Sequence, residues 1–129
     1  MTIPSASEGV VVDSSGWLEY IAADSKAELF AVYFEGEREI LVPAIVLYEV
    51  RKILLLKFSR QLADAFVSEV LRRTIVALDE NMALAAVEFS IQYQLPMGDA
   101  LLYAAARSAN AEFVTSDAHF KGLPGVTFL

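Results

Sequence analysis

Two short runs set the strongest constraint on this chain. "GVVVD" at residues 9–13 is an apolar, β-branched run, "FVTSD" at 113–117 reads as two apolar residues and two hydroxyls, and each is too short for a helix and stops on an aspartate. A run that is apolar at every position reads as a strand buried on both faces. Two further runs of this kind are "EILVP" (39–43) and "TIVAL" (74–78), and "GVTFL" (125–129) is a fifth candidate.

Between these runs, apolar residues recur at helical spacing. The first predicted helix follows Ser14 or Ser15 as cap and carries Trp17, Leu18 and Ile21. The second spans roughly 25 to 35 with Leu29, Val32 and Tyr33 on its stripe. Pro43 suits the first turn of a third helix reaching about Lys57, with Val46, Val50, Ile53 and Leu54 along one face. A fourth runs from Ser59 to Arg72, a fifth from an Asp79 cap to about Tyr93, and a sixth through "ALLYAAARSAN" to about Asn110. Short apolar strands alternating with helices predict an α/β domain with a mostly parallel sheet of four to five strands, covered on both faces. Residues 1–8 read as a flexible N-terminal tail, and residues 9–129 as one domain.

Composition narrows the function. No apolar run approaches the roughly 18 residues that a membrane helix needs, so no membrane role is expected. The chain has no cysteine, which leaves no disulfide framework or thiolate metal site and fits a cytoplasmic protein. At 56% hydrophobic residues, it carries more apolar surface than a lone domain needs. A stable partner or self-association would cover the surplus. The net charge is −7, yet Arg51, Lys52, Lys57, Arg60, Arg72 and Arg73 face only Asp64 and Glu69 within their segment. One basic stretch therefore sits on an acidic body, either as solvated helix faces or as a contact for a polyanion.

In a parallel sheet, function gathers at the carboxyl ends of the strands. Asp13 and Asp117 stand just past two such ends, Asp99 opens a helix, and Glu49 lies nearly two turns into the helix after the second strand. Each has a local alternative. The aspartates can cap helices, although Ser14 and Ser15 already offer caps beside Asp13. Glu49 can pair with Lys52 three residues on, although Ile45, Ile53 and Leu56 surround it on that helix. Taken together, four crowded carboxylates repel one another unless a cation neutralises them, and hard Mg²⁺ or Mn²⁺ suits oxygen donors. Such a site can activate a water and stabilise charge on a phosphoryl oxygen. Ser14 and Thr115 are placed to support a metal-bound water or a phosphate oxygen. His119, the single histidine, is set aside as a general base. Trp17 and Tyr20 read as core or partner-groove residues.

The blocks "VVVDSSGWLEY", "VPAIVLYEVRKIL", "LPMGDALLYAAAR" and "FVTSDAHF" occur in an order that resembles a PIN domain, in particular the VapC-type toxins of prokaryotic toxin–antitoxin pairs. The resemblance runs from Gly9 to Leu129. It implies a three-layer α/β/α fold and a Mg²⁺- or Mn²⁺-dependent endoribonuclease that cuts RNA with a metal-activated water. Asp13, Glu49, Asp99 and Asp117 match the acidic quartet that serves as both catalytic and metal site, and Thr115 matches the hydroxyl residue before the last acid. A small antitoxin partner and a homodimer are implied as well. Arg51 and Lys52, close to Glu49, are candidates for contact with RNA or with antitoxin acids. Ser116 departs from the pattern, standing where relatives often carry an amide or a base. Two alternatives remain: a silent PIN-like RNA-binding module, which would usually lack one or more acids, and a receiver-type phosphotransfer domain, for which Lys121 is the sole candidate lysine.

Overall fold

The computed structural model describes residues 9–129, and the expected tail over residues 1–8 lies outside the described residues. Five strands form: β1 (Val10–Val12), β2 (Leu41–Pro43), β3 (Thr74–Val76), β4 (Glu112–Thr115) and β5 (Val126–Phe128). Every pairing is parallel, as the uninterrupted apolar runs predict. β1, β4 and β5 lie in that order, with Val12 opposite Val114 and Phe113 opposite Val126. β2 and β3 make a separate two-stranded ladder. The two ladders join at one parallel bridge between Val10 and Ile40, where the Val10 N–H donates to the Glu39 carbonyl at 2.9 Å.

Six α-helices surround the strands: α1 (Ser14–Ile21), α2 (Ala27–Phe34), α3 (Ala44–Lys57), α4 (Arg60–Val70), α5 (Glu80–Tyr93) and α6 (Met97–Ser108). Successive strand residues point to opposite faces of a sheet. Val10, Val11 and Val12 are nevertheless all fully buried, so both faces of β1 are covered. Helix α1 packs against α2 and α3, α3 against α4 and α6, and α5 against α6. Gly16 permits the closest approach in the α1–α2 pair. A Cβ there would stand 2.5 Å from Val12 Cγ1 and 2.6 Å from Phe30 Cε1.

Three expectations need correction. On α2 the buried residues are Phe30 and Phe34, whereas Leu29 and Val32 are 50% and 72% exposed. Phe34 packs against Trp17 in a tilted pair, 4.4 Å between ring centroids, and Phe30 fills the space over Gly16. The two rings bury more apolar area than the aliphatic stripe would, and they set the rotation of the helix. The run "TIVAL" yields only three strand residues, with Thr74 and Ile75 exposed, because β3 is the outer strand of the smaller ladder. Helix α6 starts at Met97, just after Pro96, so Asp99 lies inside the first turn. No helix among the described residues is long and apolar enough to cross a membrane.

Candidate active site

Because β1 and β4 are adjacent and parallel, their carboxyl ends coincide. Asp13 follows Val12 and donates its backbone N–H to the Val114 carbonyl at 3.1 Å, which places it beside Thr115. The Asp13 side chain is almost wholly enclosed, at 3% exposure, and Thr115 is fully buried. Its carboxylate is held by three donors: the Gly16 N–H at 2.9 Å and the Ser15 hydroxyl at 2.8 Å on Oδ1, and the Thr115 hydroxyl on Oδ2. The same Thr115 oxygen accepts the Asp117 N–H at 2.9 Å. One hydroxyl thus ties the acid after β1 to the acid after β4.

The structure corrects the expected capping of α1. Asp13 is the N-cap, with extended backbone at φ −69° and ψ 170°. Ser14 and Ser15 are already helical, which frees their hydroxyls. Ser15 turns back to Asp13, and Ser14 donates to Glu49 Oε1 on α3 at 2.6 Å. Capping and clustering are therefore compatible for Asp13, since about four lone-pair positions serve a carboxylate and three are used.

Glu49 has no ion pair with Lys52 among the described residues. The Lys52 ammonium instead lies 5.6 Å from the centroid of the Tyr48 ring. Helix α6 brings in the fourth acid, and Gly98 permits its approach to α3: a Cβ there would sit 3.0 Å from Glu49 Oε2. Asp99, one residue on, meets His119 Nδ1 at 3.2 Å. Asp117 caps the 3₁₀ turn Ala118–Phe120 by accepting the His119 N–H at 2.9 Å, and its Oδ1 lies 3.3 Å from His119 Nδ1.

Asp13, Glu49, Asp99 and Asp117, drawn from four separated segments, line one cleft of about 460 Å³ together with Ser14, Ser15, Leu18, Tyr48, Lys52, Ile53, Leu56 and Leu102. The electrostatics follow from crowding and burial. Burial pushes the Asp13 carboxyl above the ordinary aspartate range, opposed chiefly by the hydrogen bonds from Thr115, Gly16 and Ser15. Asp99 is also raised, first by burial and then by the negative charge of Asp117, with His119 pulling the other way and Glu49 adding to the rise.

Among known proteins, a profile of the PIN domain family matches residues 10–126. The chain belongs to the PIN domain family. Curated protein sequences give no significant match. Among solved structures, the PIN domain superposes on a toxin–antitoxin complex from Klebsiella pneumoniae with a TM-score of 0.79 at 18% identity, covering 92% of this chain and 95% of that one. It also matches VapC20 of Mycobacterium tuberculosis, a sarcin–ricin loop cleaving toxin (TM-score 0.75, 17% identity, 89% and 95% covered). A third match is VapBC2 of Rickettsia felis bound to a DNA fragment from its promoter (TM-score 0.72, 16% identity, 94% and 97% covered). At such identities the likeness establishes the shared α/β fold.

The acids of this PIN domain form a hard oxygen donor set with one nearby nitrogen. Among the described residues, ligand atoms of Asp99, Asp117 and His119 lie within 4.8 Å of one another. That donor chemistry, and the mutual repulsion felt at Asp99, fit a small divalent cation. The two basic candidates separate. Lys52 lines the cleft, whereas Arg51 turns to Asp64 of α4 at 3.0 Å. Lys121 is directed elsewhere, 5.2 Å from the Phe128 ring centroid. Trp17 is buried, and with Tyr20, Ile21, Leu62, Ala65, Phe66 and Glu69 it borders a second groove of about 520 Å³. His119, set aside as a general base on sequence grounds, lies beside Asp99 and Asp117 in the structure. Its position two residues past Asp117 in a capped turn is the signal that places its ring over the acids.

Proposed function

We propose that this PIN domain is a divalent-metal-dependent endoribonuclease, the toxin of a VapBC-type toxin–antitoxin pair. The observation that carries the reading is the convergence of Asp13, Glu49, Asp99 and Asp117 on one cleft of a PIN fold. Asp13, Glu49, Asp99 and Asp117 would hold Mg²⁺ or Mn²⁺, which when bound supplies charge neutralisation at a phosphoryl oxygen and lowers the pKa of a water. The chain's own residues prepare the site. Thr115 fixes Asp13 and Asp117 relative to each other, and Ser14 steadies Glu49. Gly98 keeps the helix carrying Asp99 close to Glu49. Lys52 stands at the cleft wall, where an ammonium can meet a phosphate of the RNA or an acid of the antitoxin.

The partner reading is supported by solved neighbours that are themselves toxin–antitoxin complexes. The apolar groove bordered by Trp17, Tyr20, Ile21 and Leu62 begins on the same helix as the acid cleft and suits the apolar face of a small antitoxin. A second apolar face on α5 and α6, with Val87, Ile91 and Met97 exposed, suits a homodimer. Cytoplasmic RNA is the substrate class in this reading. Purified, partner-free protein is expected to convert total cellular RNA into discrete fragments with Mn²⁺ or Mg²⁺, and to leave it whole in EDTA. Intact RNA under all conditions, from protein whose circular dichroism shows it folded, overturns the proposal.

A further inference from the structure

We propose that His119 is a direct ligand of the divalent cation through Nδ1, and that this nitrogen biases the site toward Mn²⁺ over Mg²⁺. The inference rests on the metal site of the preceding reading and concerns a residue outside its acidic quartet. His119 is exposed, follows β4 in a 3₁₀ turn, and contributes no side chain to the core. Its ring is nevertheless placed with some care. The backbone N–H of His119 is anchored on Asp117 Oδ1 at 2.9 Å, and Nδ1 stands 3.2 Å from Asp99 Oδ2 and 3.3 Å from Asp117 Oδ1.

Those separations have a meaning for coordination. Neighbouring donors of an octahedral ion with ligands at about 2.1 Å lie roughly 3 Å apart. Each of the two carboxylate oxygens, at 3.2 and 3.3 Å from the imidazole nitrogen, therefore stands from it at about the spacing of adjacent corners of such a shell. Without a cation, Nδ1–H can donate to Asp99 Oδ2, while Asp117 Oδ1 is engaged by the His119 backbone N–H. With one, Nδ1 becomes the donor and the ring hydrogen moves to Nε2. Asp13 and the acids beside the histidine supply oxygen, and the imidazole adds a nitrogen donor on the exposed rim of the site.

The choice of metal follows from ligand softness. Mg²⁺ prefers oxygen and keeps its waters, whereas affinity for an imidazole nitrogen rises along the transition metals. A carboxylate-only site would separate the two ions weakly, and one nitrogen ligand would separate them more.

The test uses the full chain, freed of any partner, with Mn²⁺ as the probe. Electron spin-echo measurements on the bound ion are expected to show ¹⁴N coupling from one imidazole, lost in His119→Gln. Calorimetric titration is expected to show Mn²⁺ affinity falling about tenfold or more in His119→Gln, as large as or larger than the effect of removing an outer-sphere partner. The Mg²⁺ affinity should change by less than about threefold. Bound Mn²⁺ without ¹⁴N coupling, or equal losses for both ions, overturns the histidine ligand and leaves the acidic metal site standing. Absence of Mn²⁺ binding to the folded wild-type chain overturns both.

Discussion

Thr115→Val is the substitution that examines the site's internal wiring most sharply. The change is close to isosteric, and Thr115 is fully buried, so packing is nearly conserved. What goes is a hydroxyl with two partners: it donates to Asp13 Oδ2 and accepts the Asp117 N–H at 2.9 Å. A hydrogen bond to a charged group contributes about 1.5–3 kcal/mol, against about 0.5–1.5 kcal/mol for a neutral one. The loss should fall in the upper of these ranges where Asp13 is ionised and in the lower where it is protonated. The pH dependence has a definite sign. Burial raises the folded-state proton affinity of Asp13 above the ordinary value, so the group's contribution to stability is fully present below the unfolded pKa and declines as pH rises through the folded one. The Thr115 hydrogen bond opposes that rise. Removing it raises the Asp13 pKa further, and the mutational loss grows with pH. Urea unfolding followed by circular dichroism, at neutral pH and stepwise into the acid range, measures both quantities. A loss that does not shrink on acidification, or one below about 0.5 kcal/mol at every pH, would show that the Thr115 hydroxyl does not hold the Asp13 carboxylate.

Two further predictions concern neighbouring positions. Gly98→Ala should hold or raise stability by up to about 1 kcal/mol, because alanine is the better helix former. It should also weaken Mn²⁺ binding, because the new Cβ stands 3.0 Å from Glu49 Oε2 and displaces it; parallel thermal melts and calorimetry separate the two effects. Lys52→Ala should lower RNA affinity and reduce the slope of log K against log salt by about 1, whereas Arg51→Ala should leave that slope unchanged and cost at most about 1 kcal/mol through the lost Asp64 pair; a salt series of RNA binding on a cleavage-inactive background checks both.

What was legible in the sequence is what local chemistry dictates. The run Val10–Val12 could only be a strand buried on two faces, and Asp79 and Ser59 cap helices through the Met82 and Leu62 N–H groups as their residue types predict. The four acids were visible because each interrupts or ends an apolar pattern. Hidden from the sequence were features set by tertiary contact. The rotation of α2 is decided by Trp17 and Gly16, which are distant in the chain from Phe30 and Phe34. The divergence of Arg51 and Lys52 depends on where α4 presents Asp64. The proximity of Gly98 to Glu49 and of His119 to Asp99 exists only once α3, α6 and the turn after β4 are packed together. Asp13 is the intermediate case. Its role as cap was locally readable and was discounted in favour of Ser14 and Ser15, whose hydroxyls the fold redirects to Glu49 and Asp13.

In the proposed function the four acids act as one metal-dependent site for cutting RNA. The most direct measurement is the cleavage rate of a defined RNA by wild-type protein and by Asp99→Asn, each titrated with Mn²⁺. Asp99 is only partly buried and is not a helix cap, so the variant should melt within a few degrees of wild type. Metal-dependent fragments are expected from the wild type, and none from the folded variant at any Mn²⁺ concentration. Cleavage of equal rate by the variant, or cleavage that persists in EDTA, would contradict that function.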